Sequence, residues 1–120
     1  MSVLVKNTTP SFGFSEEVLN LLVSVFTSVD KIKKVVVFGS RAKGNYHPGS
    51  DIDLAVFAAD FTHNDLVDLQ LKIEDLTLLY QVDCINYATI TNAALREHID
   101  RVGQPLYPTK PLSLEHNLEG

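Results

Sequence analysis

Two short runs constrain the fold more than anything else in the chain: VVVF, from Val35 to Phe38, and DIDLAVF, from Asp51 to Phe57. The first is β-branched and aromatic throughout and too short for a helix, so it reads as a strand buried on both faces. Lys33 and Lys34 lead into it, and Gly39-Ser40 ends it. The second run alternates, with Ile52, Leu54 and Val56 on one face and Asp51, Asp53, Ala55 and Phe57 on the other. Between the runs, the loop NYHPGS supplies two turn formers, and the two strands are expected to pair antiparallel.

Helical patterns flank this unit. Ser15 is placed to cap a first helix, with Phe14 and Leu19 spaced as a hydrophobic staple and Glu16 and Glu17 in the favoured acidic first turn. Val18, Leu21, Leu22, Val25, Phe26 and Val29 then recur at helical spacing and give that helix one apolar face. After the second strand, Thr62 or Asn64 caps another helix. Its seam is Leu66, Leu69, Ile73 and Leu76, widened by Val67, Leu71 and Leu78, and is mainly core with part of it available to a partner. A third strand runs from Gln81 to Tyr87. Thr91 or Asn92 caps a short helix through Ile99 that stops at Gly103, and Pro105-Leu106-Tyr107 adds a brief edge segment. Beyond Pro108 no periodic pattern remains, and the end of the chain reads as a mobile tail.

The 120 residues suffice for one domain, since a chain of this size buries about two-thirds of its unfolded surface, enough for a sheet with helices on one side. With 15 acidic and 10 basic side chains the net charge is −5, which argues against direct nucleic-acid binding and suits a basic protein partner. No apolar run approaches membrane-spanning length, the N-terminus has no secretory pattern, and the lone Cys84 cannot form an internal disulfide. The cytoplasm is the expected compartment.

Asp51 and Asp53 are one residue apart in a strand and therefore project from the same face, where two carboxylates converge on a hard cation. Bare, they repel. A divalent ion such as Mg²⁺ removes that repulsion, and a pair of such ions can hold both the attacking and the leaving oxygens of an in-line phosphoryl displacement. In VDCIN a third acid, Asp83, sits between Val82 and Cys84 and reaches the same face if its strand lies beside the second. It suits a metal ligand or a general base for an incoming hydroxyl, and the sequence does not separate the two roles.

Gly39 and Ser40 let backbone N–H groups approach a phosphate, the residues after Ser40 can open a short helix with its positive end toward the anion, and Arg41 and Lys43 add cations. An anion cradle beside an acidic metal site is what a nucleoside triphosphate requires. A lone Gly-Ser turn or a lone DxD is usually structural. The combined spacing GS-x-A-x-G-x5-SD-x-D-L, which includes Ser50, is far more restrictive, and no G-x4-GK[ST] phosphate loop occurs. His47 reads as a solvated loop residue, His63 and His98 as helix-surface residues, and Cys84 as small core filler.

These residues resemble the signature of the DNA polymerase β-like nucleotidyltransferase superfamily, and within it the minimal nucleotidyltransferase (MNT) group, over about Phe14 to Tyr107. Gly39 and Ser40 match its GS turn, with Arg41, Lys43 and Ser50 beside the phosphates. Asp51 and Asp53 match its metal-binding pair, and Asp83 its third acid. The resemblance implies an α/β (α+β) fold with a mixed sheet and flanking helices; with the length and the patternless end, the expectation is a single domain over residues 1–107 and a flexible tail over 108–120. It also implies two Mg²⁺ ions and transfer of a nucleoside monophosphate with release of pyrophosphate. The family commonly has Arg where this chain has Lys43, a point charge in place of a planar fork.

Members little larger than the catalytic domain resemble the antitoxin half of a toxin–antitoxin pair whose other half is an all-helical HEPN ribonuclease. The chemistry this implies is transfer of AMP from ATP to a tyrosine hydroxyl of that toxin, in a homo- or hetero-oligomer. The chain lacks the extra helical domain with which stand-alone relatives grip a small acceptor, so the acceptor platform is expected from a partner. Two alternatives stand beside this: a non-catalytic antitoxin acting by contact alone, and a stand-alone transferase acting on a small molecule. Retention of the GS turn and of all three acids favours the enzyme.

Overall fold

In a computed structural model of the chain, residues 15–39 and 51–108 are described. Phe14, Ser40, Arg41, Lys43, the NYHPGS loop with His47 and Ser50, and the expected tail from residue 109 onward lie outside the described residues.

The elements run α1 (Glu16–Thr27), β1 (Ile32–Phe38), β2 (Ile52–Ala58), α2 (His63–Glu74), β3 (Val82–Asn86), a 3₁₀ turn (Tyr87–Thr89), α3 (Ala93–Val102) and β4 (Gln104–Tyr107). Each helix starts where its polar cap satisfies an orphan N–H. The Ser15 side chain accepts from Val18 N, and that of Asn92 accepts from Leu95 N. At α2, Thr62 accepts from Asp65 N while the Asp65 carboxylate accepts from Thr62 N, a reciprocal capping box. Lys31 Nζ, 2.9 Å from Asp65, adds a cation; the backbone hydrogen bond from Thr62 and then the Lys31 ammonium hold this carboxyl below its ordinary range.

The strands form one mixed sheet in the order β3-β2-β1-β4. β1 pairs antiparallel with β2 and with β4, as expected for the first two strands, whereas β2 and β3 are parallel and are joined through α2. Ile32 pairs with Ala58 and Lys34 with Phe57, so one extra residue is inserted in β1 and both Lys33 and Lys34 face solvent. From Val35 to Val37 the strand is buried on both faces, as the β-branched run predicts.

Helices lie on both faces of the sheet, not on one. Leu22 and Phe26 of α1 and Leu69 and Ile73 of α2 pack on Val35, Val37, Ile52, Leu54, Val56 and Val82. On the opposite face a smaller core joins Val36 and Ala55 to Ile99 of α3. Val67 and Leu71 do not widen the core seam of α2: they are 41% and 54% exposed, because one sheet face admits only the Leu69–Ile73 side of the helix. At the sheet's β3 edge, Gln70 Nε2 donates to Val82 O at 2.6 Å and Cys84 N donates to Gln70 Oε1 at 3.2 Å. The Thr89 hydroxyl donates to Asn86 O further along the same strand.

Candidate active site

The alternation of β2 sends Ile52, Leu54 and Val56 into the larger core and leaves Asp53 on the α3 face, at the end of the sheet where β1 finishes and β2 and β3 begin. There Asp53 is flanked in register by Phe38 of β1 and by Asp83 of β3. Paired residues on adjacent strands point to the same face, so the two carboxylates are neighbours, and the condition placed on the third acid is met. Val82 and Cys84, which gave Asp83 its apolar setting in sequence, turn to the other face, and Asp83 itself is exposed. Asp51 lies just before β2 and is also exposed, whereas Asp53 is half-buried.

The electrostatics agree with this placement. Burial, then the Asp83 charge, then the Asp51 charge push the Asp53 carboxyl above its ordinary range. Each of these causes disfavours the charged form of the carboxyl. Gln81 Nε2 donates to Asp83 Oδ1 at 3.3 Å, and Ile52 N donates to Gln81 O at 2.8 Å, extending the β2–β3 ladder to the sheet end. The sequence placed Gln81 at the start of the third strand but gave its side chain no role, which only the contact with Asp83 reveals.

Gly39 follows Phe38 with φ +79, a backbone conformation that side chains with a Cβ rarely adopt. A Cβ added there would stand 2.6 Å from Asp53 Oδ2. The glycine therefore serves a close approach as well as a turn: the backbone of the expected phosphate cradle abuts the carboxylate of the expected metal site. Ser40, Arg41, Lys43 and Ser50 would complete that cradle but lie outside the described residues.

Among the described residues, no group of three or more carboxylate, imidazole or thiol side chains is gathered closely enough to hold a metal ion, so Asp51, Asp53 and Asp83 do not form a three-acid ligand set by themselves. The donor set nevertheless suits Mg²⁺, which is usually held by one or two carboxylates together with waters and substrate phosphates. His98 is half-buried, with its ring edge-on to Phe38 at a centroid distance of 6.3 Å, and so is not a simple surface residue of α3. Cys84 is buried in the larger core, and burial followed by the Asp83 charge pushes its thiol up to about 12, which suits core filler. Among the described residues no helix is long and apolar enough to cross a membrane.

Known proteins share this fold. The family model for polymerase beta, nucleotidyltransferase, matches residues 20–111. A chain from the crystal structure of a toxin–antitoxin pair with AMP-PNP is 26% identical, with a TM-score of 0.64 over 77% of this chain and 74% of that one. A chain from a crystal structure of the toxin–antitoxin MntA-HepT is 22% identical, with a TM-score of 0.60 over 79% and 74%. A chain from the complex of tri-AMPylated Shewanella oneidensis HEPN toxin with MNT antitoxin is also 22% identical, with a TM-score of 0.60 over 78% and 72%. These last two likenesses establish the fold. No curated protein matches the chain.

Proposed function

Because the chain belongs to the polymerase β nucleotidyltransferase family, we propose that it transfers AMP from ATP to a tyrosine hydroxyl of a partner HEPN-type toxin, and so acts as an antitoxin. The observation that carries the reading is the contact between the two halves of the site: Gly39 has no room for a Cβ against Asp53, and Asp53 lies in register with Asp83. Support for the acceptor half comes from the likeness to toxin–antitoxin chains, one of them from a structure with AMP-PNP.

In this reading Asp51 and Asp53 hold Mg²⁺, with Asp83 as a further ligand, a base, or both. When bound, the ion would offset the negative charge of the carboxylates and the triphosphate and stabilise the charge on the transferred phosphoryl oxygens. The backbone at Gly39 and Ser40, with Arg41, Lys43 and Ser50, binds and orients the phosphates. The tyrosine oxygen attacks the α-phosphorus, a new O–P bond forms, the bond to the β-phosphate oxygen breaks, and pyrophosphate leaves. The phenol proton passes to the Asp83 carboxylate, which matters because an unperturbed tyrosine has a pKa of about 10. The cytoplasm, where ATP and Mg²⁺ are abundant, is the compartment of this reaction.

The test is to incubate the chain with a HEPN-type protein from an adjacent reading frame, ATP and Mg²⁺, and to read the intact mass of the neighbour. Addition of one or more AMP groups, stopped by Asp83→Asn, is expected. No added mass in a tight complex that silences the ribonuclease would overturn transfer in favour of inhibition by contact alone. Turnover of a small hydroxyl compound without any protein acceptor would overturn the toxin as substrate.

A further inference from the structure

We propose that Gln70, on α2 and outside the acidic cluster, is a positioning residue for Asp83: its carboxamide fixes the peptide groups on either side of that acid and thereby aims the carboxylate. The proposal rests on the reading of Asp83 as a site acid.

Among the described residues β3 is a sheet edge, with β2 on one side and no strand on the other. Backbone groups of successive strand residues point alternately to the two sides. Gln81 O faces β2, where it accepts from Ile52 N. The backbone groups of Asp83 therefore also face β2, and those of Val82 and Cys84 face outward. Left alone, these outward groups would meet water or a foreign strand. Gln70 takes both, donating from Nε2 to Val82 O at 2.6 Å and accepting at Oε1 from Cys84 N at 3.2 Å. A neutral carboxamide presents an NH₂ donor group and an acceptor oxygen side by side and so replaces the missing neighbour strand's peptide group.

The residue enclosed by these two hydrogen bonds is Asp83. The Val82–Asp83 peptide is gripped at its carbonyl and the Asp83–Cys84 peptide at its N–H, while the remaining groups of both planes belong to the ladder with β2. Rotation about the Asp83 backbone is blocked from both sides. Its side chain consequently leaves the strand in one direction, beside its register partner Asp53, with Gln81 steadying one carboxylate oxygen. Thr89 offers an internal comparison, since its hydroxyl covers the same edge at Asn86 O, three residues past Asp83.

Full-length Gln70→Leu, Thr89→Val and Asp83→Asn are compared with the wild type for melting temperature, transfer kinetics, exchange of the Cys84 amide and the ¹³C carboxylate resonance of Asp83. In folded Gln70→Leu the Cys84 amide should lose protection and the Asp83 resonance should broaden or split. Transfer kcat should fall about tenfold or more, as for outer partners of a site ligand. KM for ATP should stay within about twofold, because the interaction lost belongs to the reacting state. Thr89→Val should leave the Asp83 resonance and kcat unchanged. An unmoved Asp83 resonance in Gln70→Leu, or an equal loss of kcat in Thr89→Val, overturns the proposal. If Asp83→Asn abolishes transfer while Gln70→Leu keeps it, Gln70 alone is refuted; if Asp83→Asn transfers at the wild-type rate, the reading of Asp83 fails with it.

Discussion

Replacing Gly39 by Ala should damage the reaction far more than the fold. The substitution has two effects of different kinds. At φ +79 an L-residue sits in the left-handed region, which costs roughly 1–2 kcal/mol relative to glycine. At roughly 4–8 °C per kcal/mol for a domain of this size, the melting temperature should drop by about 5–15 °C. The second effect is steric: the new Cβ would stand 2.6 Å from Asp53 Oδ2, while ordinary contact begins at 3.4 Å, so the oxygen must withdraw by about 0.8 Å. The obstructing atom is the end of a side chain, and it yields by rotating without unfolding the strand. A displacement of that size in a reacting group costs about a hundredfold in rate. Calorimetry and single-turnover transfer, measured on one preparation well below the melting point, separate the two effects. Gly39→Ala that melts lower yet transfers at the wild-type rate would show that the turn does not hold the Asp53 carboxylate.

Asp53→Asn should abolish transfer and stabilise the metal-free protein. Two unit charges at the ~4.8 Å spacing of neighbouring strands repel by roughly 1 kcal/mol in a water-like dielectric, and the partial exposure of Asp53 keeps the effect near that lower bound. The sign follows from linkage: the folded Asp53 carboxyl titrates above its ordinary 3.8, so the folded state holds its proton more tightly than the unfolded state does. Wild-type stability should therefore fall relative to the variant as pH rises from 3.8 through the raised folded value, with no difference below; superimposable pH–stability curves would remove the repulsion. Thr62→Ala, which breaks one arm of the α2 capping box, should cost about 1 kcal/mol in urea unfolding. A loss below about 0.3 kcal/mol would show that the Asp65 arm caps the helix unaided.

The elements were legible in sequence because their signals are local. Ser15, Thr62 and Asn92 are polar caps directly before apolar periodic runs, and each caps its helix through bonds spanning three residues. The β-branched run through Val37 and the alternation from Asp51 are equally local, as was the expectation that Asp51 and Asp53 share a face. Periodicity reports which residues can share a face but not how wide a face the rest of the chain will cover. That is why Val67 and Leu71 read as core and stand exposed, and why the packing of α3 on the second face was not anticipated.

What sequence determined by itself was the chemical inventory: two acids at strand spacing, a third in a later strand, and a glycine where a backbone turn meets them. Tertiary structure decided which of these meet. Asp83 stands beside Asp53 only because β3 returns parallel to β2 in a register 30 residues apart in the chain, and no local pattern encodes that register. The close approach of Gly39 to Asp53 likewise requires β1 and β2 to pair with Phe38 opposite Asp53. Gln70 and Gln81 carried no motif at all. A carboxamide acquires a role only from the backbone groups and carboxylates that folding brings within hydrogen-bond reach, and those lie on β3.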